Sequence, residues 1–315
     1  GGSMTFADAI GIVAPLRGQY PFAEDCDERP YHADPCPLPS FSASLGKVIL
    51  DKSPLHAYLA HPRLGGKKRD EPSAAMDFGT LVHKLVLGCG KSVVAVNADD
   101  WRTKAAKDQR DEARAAGKLA VLSRDLDSAV ECECAFRTQL HAMAPDLEAK
   151  FNRGQKERVI AREFANLKGE GRVWARGMLD CIDVDWDDRR EIVICDVKTT
   201  ADASIDSLIR RVSSMNYDMQ LATYEWLAEE AFPAFKGRIR SYLLFVETVA
   251  PFSLVPVELD SSYRQIGRSK LGRAWDAWCA GMASGVWPGY ADNVVTISPP
   301  PYEVSRELDE EIRVA

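Results

Sequence analysis

The segment Arg176–Thr200 constrains the fold most, because it predicts two short strands joined by a polar turn. The first strand ends near Asp180, and the second begins with the apolar run Ile192–Cys195. Residues two apart on a strand point to the same face, so Asp196 and Lys198 project together. A hairpin would bring Asp180 beside them. The sequence therefore predicts two carboxylates and one lysine at the end of an apolar strand pair.

Such a cluster has a chemical use in the hydrolysis of phosphate esters. Carboxylate oxygens can hold Mg²⁺ together with waters and substrate phosphate oxygens. A lysine can orient or deprotonate the attacking water and offset negative charge at phosphorus. The alternative is a surface hairpin that carries an ordinary Asp/Lys pair, and the spacing alone leaves both interpretations open.

Composition narrows the class of protein. The chain has 315 residues, 46% of them hydrophobic and 28% charged, which is typical of a globular protein. Its net charge of −7 argues against a protein that coats nucleic acid through a generally basic surface. The net charge does not exclude a nuclease, because metal-binding carboxylates add negative charge and a local basic channel can exist in a protein whose net charge is negative.

Compartment signals are few. The eight cysteines show no C-x-x-C spacing, which favours reduced thiols in an intracellular protein. No apolar run approaches the ~20 residues of a membrane span, and no secretory signal is visible. Gly1-Gly2-Ser3 before Met4 is typical of an expression-vector remnant.

The periodicity predicts an α/β fold with a helical N-terminal region. We divide the chain into an irregular segment 1–39, a main domain 40–290 and an acidic, proline-rich tail 291–315. Serine-capped helices are expected from residue 40 and from Ser53. Further helices are predicted at 76–87, 101–116, 123–143 (capped by Ser123), 204–212, 216–231 and 261–284, and strands at 93–96, 157–164, 173–182, 192–198, 239–247 and 254–259.

Two features of the sequence each allow two interpretations. His83 lies on the apolar face of the helix 76–87, where a histidine is either a satisfied core residue or a ligand. The loop 65–73 contains Lys67, Lys68 and Arg69, and the helix 101–116 is rich in Lys and Arg. Such charge is either a solvated surface or a surface that faces DNA.

The arrangement of Asp180, Asp196 and Lys198 resembles the PD-(D/E)XK nuclease superfamily, with Asp in place of the commoner Glu. This resemblance implies a PD-(D/E)XK nuclease core, a central mixed sheet flanked by helices. The segment Gly79–His83 resembles the helix that donates a metal-ligating histidine in RecB-like nucleases. Gln220 and Tyr224 match their Q-x-x-x-Y helix and share one helix face. Glu157 lies before the Asp180 strand, where phage exonucleases carry an outer acid. The order of histidine, glutamate, aspartate, D-x-K and Q-x-x-x-Y along the chain is similar to that of RecB-like and lambda-exonuclease-like nucleases.

The chain is more similar still to phage and prophage RecE-type (exonuclease VIII-like) exonucleases, from about Phe41 to Tyr290. The matching segments are Ser53–Ala57, Gly79–His83, Arg176–Asp180, Asp196–Thr200, Tyr217–Gln220 and Trp287–Tyr290. The resemblance implies a metal site of His83, Asp180, Asp196 and Glu157 holding Mg²⁺ or Mn²⁺, with Lys198 positioning the water. It implies that Gln220 and Tyr224 bind phosphate and brace the site.

The sequence also departs from these families. Some RecB-like nucleases hold an iron–sulfur cluster through one early and three late cysteines, but Cys279 is the only late one here, so no cluster is expected. Met178 stands where lambda exonuclease has a phosphate-binding serine. Ser44 matches an early phosphate-contacting serine of that enzyme, and Glu163 competes with Glu157 as the outer acid.

The resemblance implies a 5′-to-3′ exonuclease that acts on linear duplex DNA in the cytoplasm of a bacterial host and exposes single strands for recombination by an annealing partner. It also implies a homo-oligomeric ring, a trimer or tetramer. Two alternatives remain: a structure-specific or Cas4-like endonuclease, and a catalytically inactive DNA-binding subunit on the same fold.

Overall fold

The computed structural model describes residues 31–65, 74–89, 92–187 and 190–314, and its centre is a six-stranded mixed sheet. The strands of this sheet are β1 (Ser40–Phe41), β4 (Gln155–Ala165), β5 (Arg172–Val184), β6 (Ile192–Thr200), β7 (Ile239–Glu247) and β8 (Leu254–Glu258). A separate parallel pair is formed by β2 (Val93–Val96) and β3 (Leu119–Leu122).

The strand pairing shows that β5 and β6 are hydrogen-bonded to each other over only part of their length. β5 pairs with antiparallel β4 along one edge. Its other edge is shared by parallel β1, near the start of β5, and antiparallel β6, near its end. β6 continues beyond β5 as the parallel neighbour of β7, which pairs with antiparallel β8. The mixed sheet flanked by helices that the sequence predicted is confirmed.

Helices cover both faces of this sheet. They are α1 (Ala43–Asp51), α2 (Pro54–Ala60), α3 (Ala74–Leu87), α4 (Lys104–Ala115), α5 (Ser123–Met143), α6 (Pro145–Arg153), α7 (Ile205–Ser214), α8 (Tyr217–Ala231), α9 (Ser261–Ser284) and α10 (Pro301–Val314), with a 3₁₀ turn at Pro233–Phe235. Within the described part of the chain, no helix is both long and apolar enough to cross a bilayer.

Two hydrophobic cores lie on opposite faces of the sheet, and β6 contributes to both because its side chains alternate. Ile192 and Ile194 belong to the core with α1, α8 and α9. Val193 and Cys195 belong to the core with α3, α5 and α6. By the same period of two, Asp196 continues the face of Ile194. This places a carboxylate beneath α8.

Asp34 fastens the segment before β1 to the body of the protein. Its carboxylate accepts from the Ser40 N–H at 2.8 Å and lies 3.1 Å from Arg176 Nη1 and 2.9 Å from His61 Nε2. The Asp34 and His61 side chains are fully buried, and Arg176 is nearly so. One buried carboxylate thus joins β1, β5 and the end of α2.

Several sequence predictions need correction. The chain forms β1 before the first helix, and Ser42, through its Oγ, caps α1. Ser123 is the first residue of α5, without a side-chain cap, because β3 runs directly into this helix. Neither β3 nor α6 was predicted.

Within the acidic, proline-rich tail, residues 301–314 form α10, a helix that the sequence analysis did not predict. Its apolar residues Val304, Leu308 and Ile312 recur every four positions and are 45%, 54% and 74% exposed. The irregular segment 1–39 falls largely outside the described residues, as does the basic loop with Lys67, Lys68 and Arg69.

Candidate active site

The site begins where β5 and β6 separate. Cys181 and Cys195 form the last pair of the β5–β6 register, and Asp180 and Asp196 are the next residues beyond it. The two acids are close enough for the charge of Asp180 to act on Asp196. There the Val197 N–H donates to Asp180 Oδ2, at 2.8 Å, in place of a partner in the β5–β6 ladder. The side chain of Asp180 is therefore inserted between the diverging strands. The hairpin inferred from sequence brings the two carboxylates together.

Asp196 and Lys198 share one face of β6, as their spacing predicted. Lys198 Nζ lies 2.5 Å from Asp196 Oδ2, and Asp196 is almost completely buried. Burial raises the pKa of Asp196; the charge of Lys198 opposes this rise and the charge of Asp180 adds to it. Burial works against the charged form of Lys198, yet Asp196 and Asp180 hold its pKa above the usual value. Lys198 is therefore an ammonium at neutral pH.

His83 reaches this pair from the middle of α3. The helix comes close to β6 at Gly79, where an added Cβ would lie 2.9 Å from Thr199 Oγ1. This approach puts His83 Nε2 2.9 Å from Asp180 Oδ2. Burial alone would lower the pKa of His83, but the charge and hydrogen bond of Asp180 raise it to about 9. His83 is a cation at neutral pH in this arrangement.

Asp180 is the carboxylate on which these groups converge. Burial favours its neutral form, but His83, through its charge and hydrogen bond, holds the pKa of Asp180 below its usual value. The charge of Lys198 and the Val197 N–H act in the same direction. Asp180 is thus ionised, while Asp196 beside it is harder to ionise.

Glu157 interrupts the β4–β5 pairing between Lys156–Cys181 and Arg158–Leu179, at the position of Asp180, and its charge acts on His83. It is buried, and its φ of +48° lies in the left-handed region, which costs roughly 1–3 kcal/mol for a non-glycine residue. Such strain concentrates at functional sites. The competing acid, Glu163, faces Trp174 and pairs with Arg172 at 3.1 Å, away from Asp180.

Gln220 and Tyr224 brace the site from α8. Gln220 Nε2 donates to Tyr224 Oη at 2.9 Å and lies 3.3 Å from Asp196 Oδ1. Both side chains are buried. α8 can approach the sheet because Gly177 has no side chain: an added Cβ there would lie 3.2 Å from the Tyr224 ring. The bracing role fits this geometry, and phosphate binding by the two residues stays a prediction.

α1 adds one predicted residue and one that the sequence analysis missed. Ser44 is exposed on the first turn of α1, and its role in phosphate binding stays a prediction. Lys47, one turn later, donates from Nζ to Gln220 Oε1 at 2.7 Å. The sequence did contain a signal for Lys47, because it is the only charged residue between Ala43 and Leu50.

The donor chemistry fits a hard divalent cation, although the carboxylates pair with neighbouring cations here. Two buried carboxylates face each other, and each is neutralised by a basic side chain, His83 or Lys198. In this arrangement, no three His, Cys, Asp or Glu side chains of the described residues are grouped to hold an ion. A divalent cation bound between the two carboxylates would take over the charge compensation that His83 and Lys198 provide here.

Comparison with known proteins assigns the chain to a family. The profile of the PD-(D/E)XK nuclease superfamily matches residues 49–291, most of the chain and all of the site residues above except Ser44 and Lys47. The chain therefore belongs to the PD-(D/E)XK nuclease superfamily. No curated protein gives a significant match. Members of this superfamily generally use divalent metal ions such as Mg²⁺.

Two solved structures are similar at low sequence identity. A protein from Eubacterium rectale named "Putative exonuclease" is 14% identical, with a TM-score of 0.47 over 85% of this chain and 92% of that one. A phage-related exonuclease from Haemophilus somnus 129PT is also 14% identical, with a TM-score of 0.25 over 65% of this chain and 93% of that one.

Proposed function

We propose that the chain is a metal-dependent exodeoxyribonuclease that degrades linear double-stranded DNA from its ends. The observation that carries this proposal is the convergence of Asp180, Asp196 and Lys198 where β5 and β6 separate. Membership of the PD-(D/E)XK nuclease superfamily supports a nuclease. The nuclease domain is assigned to residues 40–290, and the helix α10 lies in the tail beyond it.

The residues that would hold the metal are Asp180 and Asp196, with His83 and Glu157 beside them. When bound, Mg²⁺ or Mn²⁺ would act as a Lewis acid toward the scissile phosphate and lower the pKa of a bound water. A histidine that ligates a metal must be neutral, so His83 would give up its proton to serve as a ligand.

The protein's own groups would perform the remaining work. Lys198 is fixed by Asp196 and stays protonated, so it serves as a hydrogen-bond donor to the attacking water and offsets charge at phosphorus. Gln220 and Tyr224 hold Asp196 in place. A donor held in position before the reaction costs no reorganisation when charge develops.

The finer assignments follow the likeness to RecE-type exonucleases. They are a 5′-to-3′ direction, action in the cytoplasm of a bacterial host, an annealing protein that uses the exposed strands, and a homo-oligomeric ring. An inactive DNA-binding subunit is the less favoured alternative, because the two carboxylates and the lysine stand together in a buried site.

Digestion of end-labelled linear duplex beside a covalently closed circle, with and without Mg²⁺, tests the proposal. We expect metal-dependent loss of the linear molecule, with release of label from the 5′ end, and an intact circle. Cutting of the circle would favour a structure-specific or Cas4-like endonuclease. No cleavage with Mg²⁺ or Mn²⁺ would favour the inactive subunit.

A further inference from the structure

Lys47 and Lys198 place two ammonium groups on one aromatic ring beside the carboxylate site. Lys47 Nζ lies 4.8 Å from the centre of the Tyr217 ring, and Lys198 Nζ lies 5.0 Å from the same centre. The cations come from different elements, α1 and β6. Since both contact one ring, they are close neighbours and repel each other.

The two cations are compensated differently. Lys198 is paired with Asp196, whereas Lys47 donates to a neutral amide. Among the described carboxylates, none is at ion-pair distance from Lys47, although Asp196, Asp51 and Asp218 act on it from further away. Burial and the charge of Lys198 lower the pKa of Lys47 to about 8. A desolvated ammonium next to another ammonium costs free energy, which an arriving anion would recover.

We propose that Lys47 is a second phosphate-binding lysine. Its ammonium binds a non-bridging phosphate oxygen of the DNA backbone, next to the scissile phosphate at which Lys198 acts. This inference rests on the proposed function, because it takes DNA as the substrate of the site. An ammonium has three donors, and the amide oxygen of Gln220 accepts from only one of them. A phosphate oxygen is the strong acceptor that suits the others.

A positioning role would use the same contact, and it has to be separated from phosphate binding. An ammonium can only donate, so Lys47 holds Gln220 Oε1 and turns Gln220 Nε2 toward Asp196 and Tyr224. If Lys47 acted only in this way, its loss would change DNA binding only by displacing Gln220. If it binds phosphate, its loss would also weaken DNA binding directly.

The first experiment measures binding of a blunt duplex oligonucleotide in EDTA over a salt series. The variants are Lys47→Met, Lys47→Arg and, as a control, Lys52→Met, which removes an exposed charge at the end of the same helix. We expect Lys47→Met to raise Kd about tenfold and to reduce the salt slope by about one. Lys47→Arg should recover most of the affinity, and Lys52→Met should change Kd less than about twofold.

The second experiment is a double-mutant cycle with Gln220→Met. Direct phosphate binding predicts that Lys47→Met weakens DNA binding by a similar factor in the wild type and in the Gln220→Met protein. If Lys47→Met has no further effect in the Gln220→Met background, Lys47 acts through the amide and the proposal is overturned.

The outcomes also distinguish this proposal from the nuclease assignment. If the wild type fails to cut DNA with Mg²⁺ or Mn²⁺ while Lys47→Met still loses salt-dependent binding, the nuclease assignment fails and the phosphate contact stands. A folded Lys47→Met protein with unchanged Kd and salt slope overturns the phosphate contact whatever the activity. If Lys47→Met does not fold, Lys47→Gln keeps a polar contact to Gln220 and decides the same question.

Discussion

Asp180 shows how one side chain shapes the whole site. Its carboxylate accepts from the backbone of β6 and lies beside His83. Burial, together with the charge of Asp180, raises the pKa of Asp196, the second carboxylate. The two side chains are chemically identical, so the difference between their pKa values comes from their surroundings.

Replacing Lys198 by Ala should reduce turnover by about 10²- to 10³-fold, because a preorganised donor near the reacting phosphate is lost. Metal binding should stay near that of the wild type, since Lys198 serves the water and not the ion. Single-turnover cleavage and calorimetry measure the two quantities. Lys236→Ala, at an exposed position, is the control. Turnover near the wild-type rate would remove Lys198 from the mechanism.

Asp180→Ala should remove both cleavage and Mg²⁺ binding, because it deletes one of the two carboxylates that face each other in the site. Calorimetric titration with Mg²⁺ is the measurement, and Asp206→Ala, an exposed acid on α7, is the control. Unchanged Mg²⁺ affinity in Asp180→Ala would contradict the ligand role.

His83 should contact the catalytic ion, and more visibly with Mn²⁺ than with Mg²⁺, because imidazole suits softer metals. Anomalous diffraction from a Mn²⁺-soaked crystal locates the ion directly. The affinity of His83→Ala for Mn²⁺ should fall about 10- to 100-fold, while that of His141→Ala, an exposed histidine, should not change. Mn²⁺ density far from the His83 ring would make His83 a partner of Asp180 only.

Among the elements, β5, β6 and α8 were predictable from the sequence because each has a strong local signal. The strands are apolar runs, and the Q-x-x-x-Y spacing identifies one helix face. β3 and α6 were missed, since four residues and nine residues carry little periodicity of their own. Lys47 was missed because its partner, Gln220, lies 173 positions further along the chain. Contacts of this kind follow from tertiary packing rather than from local pattern.

The junction of β1, β5 and α2 at Asp34 should make stability depend on acid pH. Burial opposes ionisation of Asp34, but His61, Arg176 and Ser40 lower its pKa from 3.8 to about 2. A lowered folded-state pKa adds stability above pH ~4, and this is lost as the pH falls through about 2. The contribution at neutral pH is about 2 kcal/mol.

Asp34→Asn tests this junction. It should destabilise the protein by about 3 kcal/mol at pH 7, because Arg176 then lies buried without its carboxylate. The difference in unfolding free energy from the wild type should shrink between pH 5 and pH 2.5, as measured by urea denaturation. Asp206→Asn, at an exposed position, should show neither effect. A difference that is constant with pH would show that Asp34 does not titrate as described.

For the whole molecule, the net charge of −7 has to be reconciled with DNA as substrate. The described site concentrates its cations, Lys47, Lys198 and His83, around two acids rather than spreading them over a surface. Such a site can act on a backbone phosphate but does not by itself hold a long duplex. Enclosure by several subunits would retain the strand by geometry, with basic groups turned inward and acidic groups outward.

We therefore predict a homo-oligomer, a trimer or tetramer, that stays on one linear duplex through many cleavage steps. Light scattering should give three or four times the mass of the 34.8 kDa chain at working concentration. DNA binding should weaken steeply as salt rises, because phosphate contacts release counterions. A competitor duplex added after cleavage has begun should leave digestion of the first duplex unchanged. A monomer in light scattering, together with cutting of closed circles, would contradict enclosure and favour an endonuclease.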